Sequence, residues 1–398
     1  MNMDQIDEVM MRYVENEEMP GGELFIHQND QEIYHGMWGY SNLETKTPVS
    51  DDTVYCMCSM SKVLTAVGFL KLVEQGKAGL DDEVKKYIPA FANQRVVSDE
   101  RFDGEENFAK YFIKGEKAPL NDVKTVAADR SITVRDLLTH SSGLEMGAFG
   151  MLCRMTMKCE DETLETRCEK FARMPLDFQP GTATGYSPTA GMDLIARLTE
   201  IITGEDFASY MKREIFDPLK MKDMTFHPTK EQLKRRMPLY KRVEGKLVNV
   251  TGTACDLDGM ISGGPRYTSA AGGAYGRVSD YDRFTRMLAN GGTLNGVRIL
   301  KPETVRMMYT ERAYRHLEAE PGMEWGLGVR VRQEPERAVS FAVKGTYGWS
   351  GAFGTHMFIC PDRHLAVTFG TNREDLGGSG SYISRKVEEL VFGIVDCY

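Results

Sequence analysis

The pattern of apolar and polar positions predicts strands near both ends of the chain. Apolar residues at helical spacing predict a first helix over residues 3–15. Two apolar runs, residues 24–26 and 33–38, then predict strands joined by a turn at residues 29–30, Asn-Asp. The C-terminal part has four further strand-like runs and a last helical stripe. The runs cover residues 325–331, 339–343, 355–359 and 365–369, and the stripe covers residues 381–395.

The middle of the chain, from residue 61 to residue 227, has few strand signals and several apolar stripes at helical spacing. The polar stretch over residues 93–130 predicts loops. Helices are predicted over residues 62–74, 191–203 and 206–216.

The succession of strands, helices and strands predicts an α+β fold. One antiparallel sheet would be built from both ends of the chain and covered by the terminal helices. A mostly helical subdomain would be inserted after the first strands. The predicted sheet subdomain comprises residues 1–60 and 260–398, and the predicted helical subdomain comprises residues 61–259.

Composition and charge limit the classes of partner. Hydrophobic residues make up 41% and charged residues 27% of the 398 positions, as in a soluble globular protein. The net charge of -9 argues against a nucleic-acid-binding surface. No apolar run approaches the length of a membrane span, so no membrane insertion is expected. No signal peptide is visible at the N-terminus, which predicts a cytoplasmic location, and the oligomeric state is left open.

Eight cysteines are scattered along the chain, and without a secretory signal they are expected to be reduced thiols. Cys56 and Cys58 would lie on one face of a strand. No second cysteine or histidine pair lies at zinc-finger spacing. The sequence therefore predicts no metal and no cofactor.

Two Ser-x-x-Lys tetrads occur, residues 59–62 and residues 209–212. The second lies inside an amphipathic helix between charged neighbours, where a solvated helix face explains it. The first follows the strand-like residues 54–58 and opens an apolar helix. Ser59 would then lie at a helix N-terminus, which favours developing negative charge, and Lys62 would lie one turn later on the same face. A partly desolvated lysine beside a serine can act as its base.

Four further segments follow the first tetrad. They are residues 137–144 (Leu-Leu-Thr-His-Ser-Ser-Gly-Leu), residues 180–187 with Pro-Gly-Thr and Gly-Tyr-Ser, residues 276–292 with Gly-Arg-Val-Ser-Asp and Ala-Asn-Gly-Gly, and residues 348–352 (Gly-Trp-Ser-Gly-Ala). Their order and spacing resemble the class C β-lactamase-like serine hydrolases, a superfamily related to penicillin-binding proteins. The resemblance covers about residues 5–395 and implies that fold, with a small-molecule ester or amide as substrate.

The resemblance also implies roles for single residues. Ser59 would be the nucleophile, Lys62 its hydrogen-bonded activator, and Tyr186 the group that takes the serine proton and returns it to the leaving group. The backbone N–H groups of Ser59 and Ala352 would form the oxyanion hole. His140 would have a packing or hydrogen-bonding role. A Ser-His-Asp triad is the rival arrangement, but the chain lacks the Gly-x-Ser-x-Gly elbow that normally accompanies it.

Two positions depart from the β-lactamase pattern. Pro188 replaces the asparagine of the Tyr-x-Asn motif, and we interpret Ser187 as a helix N-cap followed by Pro188 at the first helical position. Trp349 replaces the lysine or histidine of the third motif, so an apolar wall replaces a cationic contact. Both changes resemble the family VIII carboxylesterases. The resemblance places Trp349, Ser350 and Gly351 beside the substrate.

A methionine-rich segment after residue 144 includes Met151 and predicts an adaptable pocket for an acyl or alcohol group, with ordinary helical core as the alternative. The leading interpretation is a carboxylesterase that acts on small to medium esters through an acyl-enzyme on Ser59. The alternatives are a β-lactamase, a D-amino-acid peptidase or amidase, or an acyltransferase of the same fold. A non-catalytic sensor or scaffold is the alternative from another class.

Overall fold

The computed structural model describes residues 3–157, 161–257, 263–338 and 341–395. Its strands are β1 (Gly21–Gln28), β2 (Gln31–Asn42), β3 (Thr47–Pro48), β4 (Tyr55–Cys56), β5 (Arg95–Val97), β6 (Thr125–Ala127), β7 (Tyr240–Val243), β8 (Lys246–Asn249), β9 (Tyr275–Gly276), β10 (Thr293–Leu294), β11 (Val297–Arg298), β12 (Glu318–Glu320), β13 (Met323–Trp325), β14 (Arg330–Arg332), β15 (Tyr347–Ser350), β16 (His356–Cys360) and β17 (Leu365–Gly370).

The main sheet is antiparallel and is built from both ends of the chain, which confirms the predicted α+β architecture. Within the described residues it has nine strands in the order β12-β13-β14-β15-β16-β17-β1-β2-β3. Strands β1 and β17, from opposite ends of the chain, lie side by side within it, with Phe25 opposite Thr368. The division into two subdomains at the predicted boundaries remains a prediction.

The turns show why some predicted strands are right and one is wrong. Asn29 and Asp30 both have positive φ, 53° and 60°, as a two-residue hairpin turn requires, so the β1–β2 hairpin forms as predicted. The single strand predicted over residues 325–331 is wrong, because Gly328, with φ 75°, lies in a turn between β13 and β14. Of the strand predicted over residues 339–343, the first two residues lie outside the described residues, and the other three form no strand.

The helices include both predicted terminal ones. They are α1 (Asp4–Glu15), α2 (Ser61–Glu74), α3 (Gly104–Phe112), α4 (Val134–Leu138), α5 (Ala148–Thr156), α6 (Leu164–Ala172), α7 (Ala190–Thr203), α8 (Phe207–Met211), which continues as a π-helix over Lys212–Phe216, α9 (Lys230–Lys234), α10 (Val278–Ala289), α11 (Pro302–Thr310) and α12 (Tyr382–Val395). The predicted loop region over residues 93–130 contains α3 and the small β5–β6 ladder. No helix in the described parts of the chain is long and apolar enough to span a membrane.

Helices cover both faces of the sheet. On one face, α1 and α12 pack against β1, β16 and β17, with Ile6, Phe358 and Val387 in one buried cluster. On the other face, α10 packs against β17 and β16, and a larger cluster continues into α2 and α7. The six described cysteines are free thiols, as expected, and Cys159 and Cys397 lie outside the described residues.

Candidate active site

Ser59 lies in a short 3-10 turn, Cys58–Met60, between β4 and α2. This is the strand-to-helix junction that the sequence predicts. Cys58, immediately before the serine, has φ 45°, a left-handed conformation that non-glycine residues adopt rarely and at a cost in free energy. The side chain of Ser59 is half-buried, so its hydroxyl remains accessible at a strained turn.

Hydrogen bonds from surrounding segments hold this turn in place. The Ser61 hydroxyl donates to the Cys58 carbonyl over 2.6 Å and accepts from the Ala274 N–H over 3.0 Å. The hydroxyl of Tyr281 on α10 donates to the Met60 carbonyl over 2.9 Å. Because these partners are far apart in the sequence, the position of the serine depends on the folded core.

Lys62 is almost fully buried, with 1% of its surface exposed. Its ammonium donates to the carbonyls of Pro188 (2.8 Å) and Ala271 (2.9 Å) and lies 3.4 Å from the Ser59 Oγ. An ammonium has three N–H donors, so the two carbonyls take two of them and the third position faces the serine. The two carbonyls therefore hold Lys62 in position to interact with the Ser59 hydroxyl.

Tyr186 completes the group that the sequence predicts. Its hydroxyl lies 2.6 Å from the Ser59 Oγ, and the Lys62 ammonium lies 4.9 Å from the centre of its ring. The segment carrying Tyr186 is hydrogen-bonded on both sides to His140, whose carbonyl accepts from the Gly185 N–H and whose Nδ1 accepts from the Ser187 N–H. The structure therefore brings Ser59, Lys62 and Tyr186 together.

His140 has the packing and hydrogen-bonding contacts that were expected of it. It is buried between Tyr186 and Trp325, with ring centres 5.1 Å and 4.3 Å away. Burial, together with the positive charge of Lys62, lowers the pKa of His140 to about 3. The imidazole is therefore neutral at physiological pH, and its Nδ1 is committed to the Ser187 N–H. This environment does not favour a Ser-His proton transfer.

The start of α7 differs from the interpretation of Ser187 and Pro188. The helix begins at Ala190, two residues after Pro188, so Pro188 does not occupy the first helical position. Ser187 does accept a hydrogen bond from the Gly191 N–H, over 3.1 Å. The N-terminus of α7 is instead capped by Glu145, whose buried carboxylate accepts hydrogen bonds from the N–H groups of Thr189 and Ala190. A carboxylate at a helix N-terminus satisfies free N–H groups and complements the helix dipole.

Asp193 is a second supporting residue that sequence reasoning missed. It is fully buried on α7, and its carboxylate accepts from the Tyr267 hydroxyl and, over 3.2 Å, from the Ala271 N–H. Ala271 is also the residue whose carbonyl holds Lys62. Burial raises the pKa of Asp193 to about 7. The sequence does contain one signal of this role, because an acidic residue within the apolar stripe of a helix needs a buried hydrogen-bond partner.

Trp349 forms an aromatic wall beside the serine. Its ring centre lies 5.3 Å from that of Tyr186 and 4.6 Å from that of Trp325. The Arg330 guanidinium lies 5.3 Å from the Trp349 ring, but it also donates to the carboxylate of Glu320 over 2.7 Å. The guanidinium of Arg330 is therefore a cation near Trp349, but its charge is paired with that of Glu320. Trp325 is buried and also contacts Tyr186.

The side chain of Ser350 does not lie beside Ser59, contrary to the contact with the substrate that the sequence predicts. Successive side chains of a strand point to opposite faces, and Trp349 already faces the serine. The Ser350 hydroxyl lies 2.7 Å from Nδ1 of His356, whose Nε2 lies 3.2 Å from the carboxylate of Glu388 on α12. Its hydroxyl is therefore on the face of the sheet that the terminal helices cover, away from Trp349.

The turn after β15 brings Ala352 close to the serine turn. The Gly351 N–H donates to the Thr355 carbonyl over 2.7 Å, and the Thr355 hydroxyl donates to the Met57 carbonyl over 3.1 Å. A Cβ on Gly351 would lie 2.4 Å from the Met57 carbonyl oxygen, so glycine is needed for this approach. Ala352 packs against the apolar cluster that contains Cys58. Its part in an oxyanion hole remains a prediction that this proximity supports.

The remaining candidates are separate from this group. Met151 is half-buried on α5, and its place in a substrate pocket stays a prediction. In the second tetrad, the side chain of Lys212 is 66% exposed and pairs with Asp217. Ser209 therefore lacks the buried ammonium that Ser59 has, and the two tetrads differ as predicted.

Comparisons with known proteins show the family to which the chain belongs. The chain is 30% identical over 337 residues to a lovastatin esterase from Penicillium rubens, covering 77% of this chain and 74% of that protein. It is 25% identical over 402 residues to the esterase EstB from Burkholderia gladioli, covering 94% and 92%. The solved structure of EstCE1, a hydrolase with promiscuous acyltransferase activity, superimposes with a TM-score of 0.79 at 22% identity, covering 98% of both chains. The model of the family Beta-lactamase matches residues 6–391, and the chain belongs to this family of β-lactamase-fold serine hydrolases.

Proposed function

We propose that the protein is a carboxylesterase that cleaves small to medium esters through an acyl-enzyme on Ser59. The observation that carries this proposal is the short contact between the Ser59 Oγ and the Tyr186 hydroxyl, 2.6 Å, beside the buried Lys62 ammonium. A serine needs an adjacent base to become a nucleophile, and both of these groups lie within reach of Ser59.

In the first step, Tyr186 would act as a phenolate stabilised by the adjacent Lys62 ammonium, and it would take the proton of Ser59 while the Ser59 Oγ attacks the ester carbonyl. The C–O bond of the ester breaks, and the alcohol leaves with the proton returned by Tyr186. Water then attacks the acyl-enzyme, giving its proton to Tyr186, and Ser59 recovers a proton as the carboxylic acid departs. The N–H groups of Ser59 and Ala352 would stabilise the oxyanion in both steps.

Two features support an ester rather than a β-lactam or peptide. Trp349 presents an indole where related enzymes place a cation for a substrate carboxylate, and the nearby Arg330 is paired with Glu320. Two of the relatives above are esterases by name.

A substrate panel tests this proposal. Wild-type protein, Ser59→Ala and the matched control Ser209→Ala are assayed with p-nitrophenyl butyrate, nitrocefin and a D-Ala-D-Ala peptide. We expect wild type and Ser209→Ala to hydrolyse the ester faster than the two amides, and Ser59→Ala to be inactive. Faster turnover of nitrocefin or the peptide would replace the esterase assignment with a β-lactamase or peptidase. An ester product that appears only with an added alcohol acceptor would indicate an acyltransferase.

A further inference from the structure

A carboxylate is buried in the main sheet away from the serine turn. Glu23 on β1 is 1% exposed. Its Oε1 lies 3.1 Å from Nε2 of His35 on β2, whereas its Oε2 is buried and has no hydrogen-bond partner among the described residues. A buried carboxylate oxygen without a partner is unfavourable in free energy, so a cation or a hydrogen-bond donor at this atom would stabilise the protein.

The sheet register explains how these groups meet. Phe25 is paired with His35 across the β1–β2 hairpin, so Glu23, two residues earlier, lies on the same face of the sheet as the imidazole. The Phe25 ring stacks on the His35 ring with centres 3.9 Å apart and planes 13° apart, which fixes the imidazole orientation. Asp51, in the exposed turn before β4, approaches the same point. One ligand atom from each of Glu23, His35 and Asp51 lies within 4.8 Å of the others.

We propose that Glu23, His35 and Asp51 form a binding site for a divalent transition-metal cation of the zinc class. One imidazole nitrogen and two carboxylate oxygens match the ligands that zinc takes in proteins. Magnesium and calcium prefer sets of oxygen ligands, so the histidine selects against them.

The spacing of the ligands fits this chemistry. Two ligands at about 2 Å from a tetrahedral cation lie roughly 3.4 Å apart. The Glu23 Oε1 and His35 Nε2 atoms, 3.1 Å apart, are already close to this separation, and the unpaired Oε2 belongs to the same carboxylate. Asp51 is exposed, so its side chain can close the remaining distance, and its position in the turn gives the ion a path from solvent.

Occupation of the site would join the turn at Asp51 to the centre of the sheet. The same segment continues through β4 to Ser59, so the cation would restrain the strand that leads to the serine turn. A cation that binds the folded state and not the unfolded chain raises thermal stability. The site would then stabilise this segment without taking part in ester cleavage.

Zinc binding by the whole protein tests the proposal. Protein freed of metal with a chelator is dialysed against ZnCl2, bound zinc is measured by elemental analysis, and the melting temperature is recorded with ZnCl2 or MgCl2. The variants are Glu23→Gln and Asp51→Asn, and the matched control is Asp52→Asn, at the neighbouring aspartate whose side chain is 76% exposed. Asp51→Asn carries the test if Glu23→Gln fails to fold.

We expect wild type and Asp52→Asn to bind one equivalent of zinc and to melt at a higher temperature with zinc but not with magnesium. Asp51→Asn and Glu23→Gln should bind zinc roughly tenfold more weakly or worse. The proposal is overturned if wild type binds no zinc. It is equally overturned if Asp51→Asn binds zinc as tightly as wild type, because the ion would then be held elsewhere, for example by the thiols of Cys56 and Cys58.

Discussion

Replacing His140 by Asn tests the assignment of this histidine as a neutral support for Tyr186. Asn keeps an oxygen acceptor for the Ser187 N–H and tolerates the left-handed backbone at this position, where φ is 52°. It removes the titrating imidazole and its ring contacts with Tyr186 and Trp325. At neutral pH, the loss of two ring pairs should lower the free energy of unfolding by about 1 to 3 kcal/mol.

The pH dependence gives the sharper expectation. The pKa of His140 is about 3 in the folded protein and about 6.5 in the unfolded chain. Between pH 6.5 and pH 3, the imidazole is therefore protonated in the unfolded chain but not in the folded protein. The neutral His140 imidazole therefore makes its full contribution to the free energy of unfolding above pH 6.5, and this contribution is lost as the pH falls towards 3. At about 1.4 kcal/mol per pH unit, wild type should lose about 3 kcal/mol more than His140→Asn between pH 6.5 and pH 4.

Urea unfolding of both proteins at a series of pH values measures this difference. Other titrating groups, including Asp193, are present in both proteins and cancel in the comparison. The two curves of free energy of unfolding against pH should converge on acidification. Parallel curves would refute the reasoning, since His140 would then titrate alike in the folded and unfolded chain. Wild type and variant should also share the shape of the pH profile of kcat/KM, because a neutral His140 contributes no ionisation to it.

Three further substitutions test separate parts of the account. Tyr186→Phe removes the hydroxyl that contacts Ser59 and should lower kcat by roughly 10²- to 10⁴-fold. The free energy of unfolding, measured by urea titration, should change by only about 1 kcal/mol. An unchanged kcat would exclude proton transfer through Tyr186. Trp349→Ala removes the aromatic wall beside Tyr186, so KM for p-nitrophenyl butyrate should rise severalfold, and an unchanged KM would show that the indole does not contact the substrate. Asp193, whose pKa is raised to about 7, adds stability at low pH that is lost as the pH rises from about 4 to 7. Asp193→Asn should remove about 4 kcal/mol of that pH dependence in urea titrations, and a slope equal to that of wild type would contradict the assignment.

The sequence predicts those parts of the fold whose cause is local. The hairpin at Asn29 and Asp30 is predictable because a two-residue turn needs residues that accept positive φ. The apolar run at residues 325–331 resembles one strand because its residue types favour strands. The turn within it depends on Gly328 packing against α2, where a Cβ would lie 2.3 Å from that of Ala66. Such a contact between distant segments has no local signal.

The candidate site shows the same division. Sequence motifs predict Ser59, Lys62 and Tyr186 as site residues, and the structure places their reacting atoms within reach of one another. Glu145 was missed because its partners at the start of α7 are more than 40 residues away in sequence. The motif predicts Ser350 beside the substrate, whereas the alternation of side chains along the strand places its hydroxyl on the face opposite to Trp349.

Covalent labelling of Ser59 tests the central claim most directly. Wild type, Ser59→Ala and Ser209→Ala are treated with a fluorophosphonate, digested, and analysed by mass spectrometry. We expect a single adduct on the peptide that contains Ser59, present in wild type and Ser209→Ala and absent in Ser59→Ala. An adduct that persists in Ser59→Ala, or that maps to Ser209, would contradict the assignment of Ser59 as the nucleophile.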